Sequence, residues 1–161
     1  VVESLELRED TPALDQASAI AELGDWYLVF GQRASANQTY KLAYDFLGDS
    51  EQSEALQESF FSDAKLIGFT DQSSAAKRYE KANSGVPIEE PMEISMTIST
   101  NGVPRNVEIV NPPEDLGKNV RRAVLTDIRA QRYRPKLSAG APVSSAIQFP
   151  YDIKPTNATR D

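Results

Sequence analysis

Neither histidine nor cysteine occurs among the 161 residues. The commonest general base, the thiol nucleophile and the preferred ligands of transition metals are therefore all missing. Only carboxylate, Lys, Tyr and Ser chemistry remains. The acidic neighbours Glu89 with Glu90 and Glu114 with Asp115 point apart in sequence and read as solvated charges rather than an acid and a base. Asp45 to Glu51 lacks the alternating oxygen ligands and central glycine of a calcium loop. Gly24, Gly31 and Gly48 are dispersed, not gathered into a phosphate-binding loop. The expectation is a protein that is not an enzyme and holds no metal or cofactor. Two kinds of chemistry are left. One is the unpaired backbone of a strand edge. The other is a cationic cluster of Lys118, Arg121, Arg122, Arg129, Arg132, Arg134 and Lys136. That cluster reads either as a solvated helix face with cations favoured near a helix C-terminus, or as an electrostatic contact with an acidic partner segment or with the acidic N-terminal half itself.

The elements that would position these groups lie between Met92 and Ile153. Met92, Ile94, Met96 and Ile98 alternate with polar residues, the period of a strand with one buried face. Asn101-Gly102 follows as a hairpin turn, and Val107 and Ile109 alternate with Asn106 and Glu108 as the return strand. Leu116, Val120, Ala123, Val124 and Ile128 recur at helical spacing. Pro112-Pro113 is expected to open that helix, with Glu114 and Asp115 in its first turn. Val143, Ile147, Phe149, Tyr151 and Ile153 then alternate again, with Ser145 breaking the apolar face. Pro150 lacks an N–H and is tolerated on edge strands, which places this last strand at an edge. An extended peptide could pair with it through the main chain, and that pairing is expected on Ser144, Ser145, Ala146, Ile147, Gln148 and Phe149.

This run resembles the C-terminal domain of TonB energy-transducer proteins. The residues that carry the likeness are Met96-Thr97-Ile98-Ser99-Thr100-Asn101-Gly102-Val103, then Val107-Glu108-Ile109, then the helix closed by Arg132-Tyr133-Arg134-Pro135, then Gly140-Ala141-Pro142-Val143 and the aromatic-alternating last strand. The likeness covers roughly 62 of 161 residues. It implies a periplasmic domain of the Gram-negative cell envelope whose last strand offers a free edge to a TonB-box-like peptide of an outer-membrane receptor, coupling inner-membrane energy to transport. Any membrane anchor would lie outside this chain. Strand exchange between two copies, giving a homodimer, is open to such a sheet.

In the N-terminal half, Leu23, Gly24, Tyr27 and Gly31 are followed by Ala36, Tyr40 and Ala43 on the spacing of a tetratricopeptide repeat. Small residues at 24, 36 and 43 would let two helices approach, near Leu14 to Phe30 and Ser35 to Leu47, with Leu23, Tyr27 and Tyr40 filling the gaps and a turn at Gly31. Thr11-Pro12 reads as the helix start. Trp26, Phe30, Tyr44 and Phe46 read as core or inter-repeat contacts. A capping helix is expected from Glu54 to Phe69, ending near Gly68. The predicted class is α+β: a helical hairpin with its capping helix over 1–70, a linker or short helix (Ala75 to Ala82) over 71–91, a β-β-α-β domain with a three-stranded antiparallel sheet over 92–155, and a tail over 156–161. The alternative function is a soluble periplasmic adaptor of tetratricopeptide type, binding another periplasmic protein, whose sheet domain transduces no energy.

The net charge is −7. Val1 to Ile88 holds 15 acidic against 7 basic residues and Glu89 to Asp161 holds 9 against 10. Such a balance argues against a nucleic-acid partner, which requires a clustered positive surface. No stretch reaches the ~18 apolar residues needed to cross a bilayer.

Overall fold

The computed structural model describes residues 3–48, 53–68, 91–114 and 116–151. Small side chains decide how the N-terminal half closes. Helices α1 (Glu3–Val29) and α2 (Arg33–Gly48) pack as a hairpin, turned at Gly31 with φ +77°. Ala17, Ala21, Ala36 and Ala43 are fully buried between them. A Cβ at Gly24 would collide with the Tyr40 ring, so the glycine is what lets the buried tyrosine lie against α1. Helix α1 runs unbroken through Thr11 and Pro12, which correct the expected helix start. Leu23 also corrects the reading: instead of filling a gap between the helices it is half exposed, and of the two readings of Trp26 and Phe30, core or inter-repeat contact, their exposure removes the core.

Helix α3 (Ser53–Phe61) caps the hairpin and buries Phe61. It stops eight residues short of the expected Phe69, because the chain is drawn into β1 (Lys65–Leu66), which pairs antiparallel with β4 (Tyr133–Arg134). The amides of Ile67 and Gly68 continue this pairing onto the Arg132 carbonyl. A distant backbone ladder thus overrides the helical pattern of Leu66 and Ile67. The linker over 71–91, except Pro91, lies outside the described residues, as do Asp115, Glu89, Glu90 and the tail.

The C-terminal half is built on β2 (Met92–Ile98), β3 (Pro104–Ile109) and β7 (Ser145–Tyr151), in the antiparallel order β3-β2-β7. Met92, Ile94, Met96 and Ile98 are buried against helix α4 (Lys118–Ala130), which contributes Val120, Val124 and Ile128 to one core with Val107, Ile109 and Tyr133. The class is α+β, with the strand–strand–helix–strand order intact. Pro112-Pro113 do not open the helix, a further correction: α4 begins at Lys118 after Gly117, with no acidic residue in its first turn. Between α4 and β7 the chain adds β4, then a hairpin of β5 (Lys136–Ser138) and β6 (Ala141–Val143), turned on Ala139 and Gly140 at φ +50° and +76°.

The two halves interlock. Leu137 of β5 belongs to the helical core, and Ala64, just before β1, packs on the sheet core. Gly102, at φ +69° in the β2–β3 turn, accepts a hydrogen bond at its carbonyl from the Tyr133 amide, 2.9 Å. A side chain at 102 would run into the Tyr133 carbonyl and Leu28 of α1.

Candidate functional site

Which backbone groups β7 exposes follows from the ladder on its inner side. Residues facing each other in an antiparallel pair alternate between those that exchange both hydrogen bonds and those that exchange none. Glu93 spends its carbonyl on the Val110 amide (2.8 Å) and its amide on the Asn111 side-chain oxygen (3.1 Å), both on the β3 side. Its opposite number on β7, Pro150, is therefore a non-bonded pair, and the proline ring stands where an N–H would face outward. By the same parity Ser145, Ile147, Phe149 and Tyr151 bond to Ile98, Met96, Ile94 and Met92, whereas Ala146 and Gln148 turn their N–H and C=O away from the sheet. Among the described residues nothing pairs with that outer side.

Six residues, Ser144 to Phe149, are expected on this edge from the sequence. The structure divides them: Ala146 and Gln148 offer backbone groups, Ser145, Ile147 and Phe149 spend theirs on β2, and Ser144 lies just before the strand. Side chains divide the same way. Ile147, Phe149 and Tyr151 turn to the core and are only partly buried, since α4 lies nearer β3. They leave an apolar shoulder along the edge. Ser145 faces the same side, with a buried hydroxyl that has no hydrogen-bond partner among the described residues.

The opposite edge is unsuited to a guest strand. Asn106 adopts φ +50°, and the β2–β3 register slips between Ser95 and Thr97, so two residues of β3 stand opposite one of β2. Such a bulge twists an edge and interrupts its ladder.

The far end of β7 is held by a buried carboxylate. The Tyr151 hydroxyl donates to Asp127 of α4 at 3.1 Å, and Asp127 is buried. Burial first, then the Asp127 charge and the hydrogen bond to it, raise the Tyr151 phenol well above its ordinary range. Tyr133, which donates to Gln131 at 2.7 Å, is pushed up to about 12, again mainly by burial and then by Asp127.

The cationic cluster does not act as one group. Arg121, Arg122 and Arg129 are exposed on α4. Arg132 turns back on the helix end, its Nη1 donating to the carbonyls of Gln131 (2.8 Å) and Ala130 (3.2 Å), which satisfies groups the last turn leaves open. Arg134 crosses to the helical half, 3% exposed, with Nε and Nη2 donating to Asp25 at 2.8 and 2.5 Å. Tyr40 donates to the same carboxylate at 2.8 Å, and the guanidinium lies over the Tyr40 and Phe60 rings. Burial, then Asp25, drives the Tyr40 phenol upward. The acidic N-terminal half is thus a partner for one member of the cluster. Sequence alone could not choose Arg134, because its spacing is that of any cation after a helix.

Among the described residues no group of acidic side chains is arranged to hold a metal ion, and no helix is long and apolar enough to cross a membrane. No family model matches the chain, and no curated protein matches it.

Proposed function

We propose that this chain is a non-enzymatic TonB-like binding module of the periplasm. It takes up an extended receptor peptide as an added strand on β7 and so couples inner-membrane energy to an outer-membrane receptor. The observation that carries the reading is the one-sided edge: a regular seven-residue register inward, open amides at Ala146 and Gln148 outward, and a bulge disabling the opposite edge. Strand addition gives affinity through the main chain and selection through alternate side chains. The guest's alternate residues would rest on the shoulder of Ile147, Phe149 and Tyr151. A peptide pulled along its length would load its ladder bonds together, and the Arg134–Asp25 pair would pass the load to the helical half. The exposed Arg121, Arg122 and Arg129 would favour an acidic peptide in a salt-dependent way.

The test is a pair of proline substitutions titrated with synthetic peptides from the periplasmic N-termini of outer-membrane receptors, read by backbone amide shifts. Gln148→Pro removes an outward N–H and leaves the β2 ladder intact, so the fold survives and binding falls by tenfold or more, about 1.4 kcal/mol. Ile147→Pro removes an inward bond and unfolds the sheet. Saturable binding that leaves the amides of Ala146 and Gln148 unshifted would remove β7 as the site.

A further inference from the structure

One surface has no part in peptide capture. Along α1 and the first residue of the turn after it, Ala19, Leu23, Trp26 and Phe30 are all exposed and follow the 4-3-4 spacing by which one helix packs against another. Trp26 and Phe30 are 65% and 61% exposed, with ring centroids 4.4 Å apart. Val29 and Leu66 are half exposed beside them, and with Glu22, Lys65 and Ile67 they line an open groove of about 670 Å³.

An aromatic side chain carries ~150–250 Å², so the two rings alone leave roughly 250 Å² open and the three aliphatic residues bring the patch to roughly 500 Å². A patch of that size is at the upper end of what the surface of a monomer carries and is often functional. Two of them face to face would cover ~1,000 Å² of apolar surface, where specific interfaces begin. The rim charges are balanced. Glu22 lies on the N-terminal side of Trp26 and Arg33 on its C-terminal side, both exposed, and Asp25 is already neutralised by Arg134.

We infer that this stripe is the interface of a two-fold dimer in which α1 packs antiparallel on α1 of a second copy. A two-fold contact is self-complementary. Antiparallel pairing centred on the stripe sets Leu23 of each copy against Trp26 of the other and Phe30 against Ala19, and brings the end carrying the exposed Asp15 to the end carrying the exposed Arg33 of its mate. The β7 edges stay open in such a dimer, so each copy keeps its peptide site.

Trp26 is the sole tryptophan and sits at the centre of the patch, so its emission reports directly on cover. Sedimentation of the 161-residue chain and tryptophan emission are followed together over a dilution series. Dimer formation and a shift of emission to shorter wavelength rise with one concentration midpoint. Leu23→Ser keeps the reporter, touches no core residue and weakens association roughly thirtyfold. Gln148→Pro leaves the dimer unchanged. A chain that stays monomeric with red-shifted emission at every concentration overturns the proposal, leaving the stripe for a different protein. Emission already blue at all dilutions overturns it too, because the same chain then covers the patch. A dimer insensitive to Leu23→Ser but lost on Gln148→Pro would be strand exchange through β7 instead.

Discussion

Asp25 is asked to satisfy Arg134 and Tyr40 at once, and their loss is asymmetric. Removing one member of a buried pair strands the other charge, at a cost of about 3–5 kcal/mol, whereas replacing both by apolar groups of similar size is close to neutral. Arg134→Ala is therefore expected to lower unfolding stability by that amount in urea titration. Asp25→Leu with Arg134→Met and Tyr40→Phe, which leaves no buried donor stranded, should recover most of it. A second residue-scale expectation concerns pH. With no histidine, stability should be flat from about pH 6 to 8. The folded phenol of Tyr133 ionises near 12 against an ordinary 10.0, and those of Tyr40 and Tyr151 are raised as well. Above pH 10 the unfolded chain therefore binds fewer protons than the folded one. The contribution of these groups is complete below pH 10 and is lost as pH rises through the folded values. Unfolding free energies measured from pH 9 to 12 should fall steadily, and Tyr151→Phe should reduce the slope.

Elements differ in how much of their form is local. The strand β2 is legible from its alternation alone, because every second residue from Met92 to Ile98 is buried on one face. The turn after it is equally local, but the need for glycine at 102 has a second, tertiary cause: the close approach of Tyr133 and Leu28. Gly102→Ala therefore meets both a positive φ and a collision, and should cost more than the ~1–3 kcal/mol of backbone strain alone. Asparagine tolerates the positive φ better but brings the same Cβ into the clash, so Gly102→Asn should be no better in thermal unfolding. Past the end of α3 the local pattern failed and long-range backbone pairing won. Leu66 and Ile67 continue a helical spacing after Phe61, yet their segment pairs with β4 and Arg132. The Pro112-Pro113 pair could open a helix but does not, because the chain first bonds Leu116 to the Pro113 carbonyl in a separate turn.

For the whole molecule, α+β class, the helical hairpin and the edge position of the last strand were determined by the sequence itself, since each rests on periodicity, small residues or a proline read within one segment. Only the tertiary structure decided three other things. It selected Ala146 and Gln148 as the outward-facing groups, because ladder parity depends on which residues of β2 are already bonded to β3. It sent Arg134 to Asp25 across 109 positions of chain, a pairing no local pattern encodes. And it left Trp26 and Phe30 exposed rather than buried, because a helical stripe records that a face is apolar, while what covers that face is set by the neighbours the fold supplies.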